Sequence, residues 1–347
     1  MNELDILQAL EELEAFIVSN LSESLTSKDW VFRRAKAYQD YMKKVRAIVR
    51  KYDFGELFQD KLIRMYKRFL NLEKIDIRKH LHIGLAERET PVIINEARLK
   101  KLFAEYVRRM SEATKSTNIL RQASDVYRRA VLAGEAAMST GTVNLWEAID
   151  MSVNEFLKRG LVTVPYANGA RMQARSYVEM ALRTGAIRAK LHADGDARRA
   201  YGVSLVLVSQ YGACSDICLP WQGRVYIDDV FSGGRPGRYN YPLLSEAVAA
   251  GLFHPNCRHT SNTYYEGITK IPPPVNPEKA ERAYKLEQRQ RYIERQIRSW
   301  KRLEAGSADD KKIARSKAKV KEWQETLRDF ISAHPETLRR DYEREQI

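Results

Sequence analysis

Apolar residues in the first half of the chain recur at three- and four-residue intervals, the spacing of one face of a helix. Leu7, Leu10, Ile17 and Leu21 form the first such stripe. Comparable patterns predict helices over residues 56–70, 95–112 and 117–133. A better-marked helix starts at Asn144, where Asn144 and Glu147 have capping-box spacing. Trp146, Ile149, Val153 and Phe156 share one of its faces, and Gly160 fits the stop position. A further helix follows Asn168-Gly169, carries Met172, Tyr177 and Met180, and ends at Gly185. No repeat of fixed period is present.

The texture changes near residue 200. Gly202 to Ser209 reads GVSLVLVS, a short β-branched run between a glycine and a polar segment, which predicts a buried strand. RVYI at 224–227 predicts a second. Glycine, proline and aromatic residues then dominate through Gly267. Pro272, Pro273, Pro274 and Pro277 make a stiff linker that no helix crosses. Beyond it Asn276 can cap a helix with Pro277 at its first position. Ala283, Leu286, Gln290, Ile293, Ile297 and Trp300 then form a heptad seam. Ala305-Gly306-Ser307 breaks this helix, and a second stripe runs through Ile313, Val320, Trp323, Leu327 and Phe330. Two seamed helices with a short break between them predict an antiparallel hairpin, packed on its own domain or docked on a partner.

The expected fold class is therefore α+β, predominantly helical. A helical region covers 1–135, and a helical segment over 136–200 leads into a small α+β domain with a few short strands at 201–271. The Pro-rich linker occupies 272–277 and the helical hairpin 278–347. A length of 347 residues fits two or three domains.

Charge adds a suspected partner. Lys and Arg number 59 against 45 acidic residues, a formal net charge of +14, which favours contact with a polyanion. The densest basic stretch, 28–51, holds Arg33, Arg34, Lys43 and Lys44 among Trp30, Phe32, Tyr38 and Tyr41. It reads either as a DNA-binding helix that touches phosphates through those four cations, or as a solvated face opposite the acidic first helix. No apolar run approaches the roughly 20 residues of a membrane span, and the acidic start does not resemble a secretory signal. Three cysteines exclude a disulfide-stapled scaffold and suit a reducing compartment.

Those cysteines carry the candidate chemistry. Cys214 and Cys218 follow the first strand, and His254-Pro255-Asn256-Cys257-Arg258-His259 comes about forty residues later. Zinc takes four nitrogen or sulfur ligands, often as two close pairs from separate loops. Cys214 and Cys218 supply one pair and Cys257 and His259 the other, with His254 as a substitute. Such a site would hold one structural zinc, since four protein ligands leave no position for water. Two other readings stand beside it: buried free thiols with a hydrogen-bonded histidine, or a disulfide from Cys214 or Cys218 to Cys257 that leaves one cysteine odd. Trp221, Gln222 and Gly223 read as a buried aromatic and a turn into the second strand, with no catalytic role.

VSQYGACSDICLPWQGRVYIDD followed by GLFHPNCRHTSNTYYEG resembles the core of the phage minor capsid protein family, of the type called minor capsid protein 2. It is more distantly similar to the Mu F-like head morphogenesis domain. The upstream GLVTVPYANGARMQARSYVEMALRTGAIRA and the downstream QRQRYIERQIRSWKR, KVKEWQETLRDF and LRRDYERE resemble it too, so the likeness spans roughly 140–345. Trp221, Gln222, Gly223, Asn256 and Arg258 fall in its motif blocks as structural positions. The chain departs from the family at Tyr211, where members commonly carry histidine, and at Ala213-Cys214-Ser215, where they carry Ala-Arg-Pro. The resemblance implies a virion protein, in multiple copies, at the portal vertex or capsid interior after assembly in the host cytoplasm. Its partners would be the portal protein, other capsid components and double-stranded DNA bound without sequence preference, with no membrane. It implies no catalytic residues. The alternatives are a nuclease-like or toxin-like enzyme in 201–271 using His254, His259 and Arg258, or a cellular non-specific DNA-binding protein.

Overall fold

A computed structural model describes residues 4–26, 34–82, 92, 94–140, 145–160, 163–165, 171–237, 239–307 and 309–347. Among the described residues the first helices are α1 (Leu4–Thr26), α2 (Arg34–Arg50), α3 (Phe54–His80), α4 (Glu96–Ala113), α5 (Ser116–Thr140) and α6 (Leu145–Arg159). Strands β1 (Thr163–Pro165) and β2 (Arg171–Gln173) precede the long α7 (Ala174–Ala200). Then come β3 (Leu205–Val208), β4 (Val225–Ile227), α8 (Leu244–Ala249) and β5 (Ser261–Thr263), followed by α9 (Pro277–Gly306), α10 (Asp310–Ser332) and a 3-10 turn at Tyr342–Glu345. The class is α+β and predominantly helical, as the periodicity predicts. Among the described residues no helix is long and apolar enough to cross a membrane.

Two compact units divide the chain, each drawn from non-consecutive stretches. The first comprises 1–55, 109–178 and 286–347, the second 56–108 and 179–285. In the first unit α2 packs against α1 and α5, and α5 against α6. The α1 stripe is buried at Leu10, Ile17 and Leu21. Tyr41 stacks on Tyr127 at 5.2 Å between ring centroids, which joins α2 to α5. β1 and β2 form an antiparallel pair. Ile293, Ile297 and Leu327 close the seam between α9 and α10, flanked by Trp323, Phe330 and Ile331. The hairpin packs on its own unit: Arg302 is buried and donates Nε to the Leu157 carbonyl at 2.7 Å and Nη2 to that of Lys158 at 2.9 Å.

The second unit is built on an antiparallel sheet of order β4-β3-β5. LVLV of β3 is buried at all four positions, as befits its central place. Arg198, near the end of α7, is fully buried and forms an ion pair with Asp228, just past β4, at 2.9 Å, and with Glu73 of α3 at 3.5 Å. Asp228 is saturated: Oδ1 accepts from the Phe231 amide, and its carbonyl accepts from Ser232 Oγ and Gly234 N. Glu73 also accepts from Thr263 Oγ1 on β5. The two carboxylates match the buried charge, while Nη1 makes no hydrogen bond among the described residues.

Several sequence-based boundaries shift. Gly185 does not end α7, which runs on to Ala200. A Cβ at Gly185 would lie 2.8 Å from both Phe58 and Leu62, so the glycine serves close packing of α7 on α3 rather than termination. Met172 lies in β2, not in that helix. The break between α9 and α10, by contrast, falls within Ala305-Gly306-Ser307 as expected, and Asp309 caps α10 through the Lys312 amide at 3.2 Å. Asn144, Asn168 and Gly169, expected as a cap and a turn, lie outside the described residues.

His192 on α7 is packed edge-on against Phe231 at 5.0 Å, and burial lowers its pKa from the usual 6.5 to about 4. The unfolded chain takes up this proton below about pH 6.5, whereas the folded chain resists it until about pH 4. The stability contributed by neutral His192 is present above 6.5 and lost as pH falls through 4. The expected outcome for His192→Gln is a flatter decline of urea-unfolding stability between pH 6.5 and 4 than in the wild type. Parallel declines in the two proteins would contradict the assignment.

A buried cysteine–histidine cluster as the candidate site

Two loops meet beside the sheet. The first leaves β3 at Val208 and returns into β4; the second runs from α8 into β5. Backbone bonds join their ends: Ser209 N donates to the Thr260 carbonyl at 2.8 Å, and Thr260 N donates to Ser209 Oγ at 2.9 Å. Gly223, at φ 68°, turns the first loop back so that its amide reaches the Val208 carbonyl at 3.0 Å. A Cβ there would also meet the end of the Gln210 side chain at 2.4 Å, but it is the positive φ that favours glycine. The second loop is fixed by two left-handed residues, Phe253 and Asn256. Arg188 Nη2 holds the Phe253 carbonyl at 2.9 Å, the Asn256 amide donates to Thr184 Oγ1 at 2.9 Å, and Arg183 donates to the Asn256 side chain.

This geometry brings Cys218, Cys257 and His259 together with all three ligand atoms within 4.8 Å of one another. Cys218 Sγ lies 3.6 Å from Cys257 Sγ, and Cys257 Sγ lies 3.2 Å from His259 Nδ1. All three residues are buried. Zinc bonds of about 2.3 Å to sulfur and 2.0 Å to nitrogen set tetrahedral ligand atoms roughly 3.5–3.8 Å apart. The donor set and its spacing thus fit a soft divalent metal. His259 Nε2 is 2.9 Å from Gln222 Oε1, which turns Nδ1 toward the sulfurs. The Gln222 Oε1 also accepts from the Tyr211 amide at 2.7 Å.

Cys214 is not in the cluster. Its sulfur accepts from Gln222 Nε2 at 3.1 Å, so the amide sits between Cys214 and His259 and holds both. His254 also stands apart, with Nε2 3.3 Å from Ser215 Oγ and Nδ1 2.7 Å from the Pro255 carbonyl. All three cysteines are free thiols, so the disulfide alternative is not realised. The Cys218–Cys257 pair shares a proton unequally: a hydrogen bond from Cys218, assisted by His259, lowers the Cys257 pKa to about 4, and the same bond together with burial raises Cys218. Burial raises Cys214 as well.

The remaining motif residues serve the frame. Trp221 offers its carbonyl to Tyr226 Oη at 2.9 Å, and the Arg258 guanidinium lies 4.8 Å over the Tyr211 ring. Of the candidate DNA contacts, Lys43 and Lys44 are exposed on α2, and Lys44 pairs with Glu23 at 3.1 Å. Arg34 opens α2, and Arg33 lies outside the described residues. The Glu73–Arg198–Asp228 network had no sequence signal beyond the unusual charge density of LHADGDARRA, which turns out to be the most buried stretch of α7.

The described residues thus hold a buried cysteine–histidine cluster inside a predominantly helical frame. The chain matches the family of phage minor capsid protein 2 over residues 6–332, nearly its whole length, and belongs to that family. It is similar to a structural protein of Lactococcus phage LL-H, 25% identical over 235 residues, 63% of this chain. The chain spans 61% of that relative's length. It is also similar to a structural protein of Lactococcus phage mv4, 31% identical over 129 residues, which is 35% of this chain and 98% of the relative. No solved structure matches.

Replacing Cys257 by Ser removes the central sulfur of the cluster. The expected outcome is loss of bound zinc by elemental analysis and a stability decrease of about 2–4 kcal/mol in chemical unfolding, with chelator lowering wild-type stability toward the variant's. A wild-type protein purified with no zinc and indifferent to chelator contradicts a metal at this place.

Proposed function

We propose that this chain is a structural component of the phage virion, at the portal vertex or capsid interior, in multiple copies. It would reach that place from the host cytoplasm during assembly, in contact with the portal protein, other capsid components and packaged DNA. The observation that carries the reading is the family match across 6–332. The site geometry supports a structural role over a catalytic one. His259 is buried with its two nitrogens turned to Gln222 and Cys257, and Arg258 covers Tyr211. Neither is presented to a polymeric substrate, which weighs against the nuclease-like alternative.

In this reading the cluster holds one structural zinc through Cys218, Cys257 and His259. Cys214 is the nearest further sulfur and His254 the substitute. Bound there, the metal would supply folding energy and tie the two loops together. The net charge of +14 favours a DNA-filled interior through phosphate neutralisation, with the basic stretch of 28–51 as one contact.

The direct test is quantitative mass spectrometry of gradient-purified particles from the phage that encodes this chain. The protein is expected in intact heads at a small, constant ratio to the major capsid protein, and to copurify with portal protein. Its complete absence from particles, with abundant protein in the lysate, would overturn the proposal.

A further inference from the structure

The charge order along α10 runs against the helix it sits in. Behind Asp310, its first half carries Lys311, Lys312, Arg315, Lys317, Lys319 and Lys321 with no acidic residue between them. Its second half carries Glu322, Glu325 and Asp329 against the single Arg328, and the last turn has no basic residue. A helix macrodipole favours acidic groups near the N-terminus and basic groups near the C-terminus, a few tenths of a kcal/mol each. Lys311 with Arg315 and Lys317 with Lys321 are moreover like-charged pairs four residues apart, which destabilise a helix. Nothing in α10's own stability accounts for this arrangement.

Two of the six cations are engaged: Lys312 lies 3.9 Å from Asp150, and Lys319 lies 2.6 Å from Glu322. Lys311, Arg315, Lys317 and Lys321 are exposed and have no ion-pair partner among the described residues. At about 100° per residue they fall into two rows about 120° apart, Lys311 with Arg315 and Lys317 with Lys321. Ala314 and Ala318, both exposed, lie midway between the rows. Buried Ser316, Val320 and Leu327 are on the opposite side, so the track faces outward. Small side chains flanked by two cationic edges let a charged polymer approach the helix closely. Lys311 to Lys321 covers about 15 Å of axis, along which a DNA duplex presents roughly nine phosphates.

We infer that the outer face of α10 is a phosphate-backbone track for double-stranded DNA, a second surface beyond the 28–51 stretch. This rests on the reading of the chain as a virion protein beside packaged DNA. A polyanion of fixed charge density offsets the two like-charged pairs and the reversed dipole order together. The track holds no large apolar residue to insert into a bilayer, and its uniform sign from Lys311 to Lys321 suits a polymer without sequence readout.

The test uses the full-length protein and a fluorescent 30-base-pair duplex of random sequence, with anisotropy followed between roughly 50 and 200 mM salt. The variant replaces Lys311, Arg315, Lys317 and Lys321 by Gln. The salt slope of log affinity is expected to fall by about 3–4, roughly 0.9 per cation removed, with affinity at low salt weakened about tenfold or more. Tm should stay the same or rise, because like-charge repulsion is relieved. If the quadruple variant fails to fold, Lys317→Gln with Lys321→Gln carries the test, with an expected slope change of about 2. Wild-type affinity and slope in a folded variant overturn the inference. So does equal binding of the wild type to phosphatidylglycerol vesicles or polyglutamate at matched charge. Absence from particles would strike the virion reading alone and leave the measured slopes to decide this surface.

Discussion

The second unit depends on one chain of polar contacts between loops that share no strand ladder over most of their length. Gln222 spans the gap: one end of its amide holds Cys214, the other holds His259, and His259 faces the Cys218–Cys257 pair. The sheet these loops frame has strands of only three and four residues. So small a sheet buries little apolar surface, and its loops have to be tied by something other than ladder bonds. The cluster does this on one side and the Glu73–Arg198–Asp228 network on the other. Both are buried, and in the second the two carboxylates match the Arg198 charge although its Nη1 has no hydrogen-bond partner among the described residues.

The same distribution separates what the protein hides from what it displays. Its reactive side chains are inside, each engaged with another. Outside, the row of exposed cations on α10 has no ion-pair partner among the described residues. A structural component of a particle needs this division, since its task is to hold shape and offer surfaces. The membership in the minor capsid family and the geometry therefore point the same way, although they rest on independent observations.

Much of this could be read from sequence because the governing rules are local. The α1 stripe, the hairpin seam at Ile293 and Ile297, and the strand at Leu205–Val208 are each written in the spacing of apolar residues. The gathering of cysteine and histidine into two short segments marked the site before any fold was known. What escaped depends on contacts between distant residues. Ser261–Thr263 is too polar to announce a strand and becomes one only by pairing with β3. Gly185 reads as a stop until α3 supplies Phe58 and Leu62 as neighbours. Cys214 looks equivalent to Cys218, yet Gln222 diverts it. Arg198 meets Glu73 only because α3 and α7 pack together.

X-ray absorption at the zinc edge of the purified full-length protein tests the centre of this account most directly, because it sees the ligand atoms themselves. The account predicts stoichiometric zinc with two or three sulfurs at about 2.3 Å and imidazole nitrogen at about 2.0 Å. A protein that retains no zinc, or binds it with an oxygen and nitrogen shell lacking sulfur, would contradict it and leave the three cysteines as small buried hydrophobes.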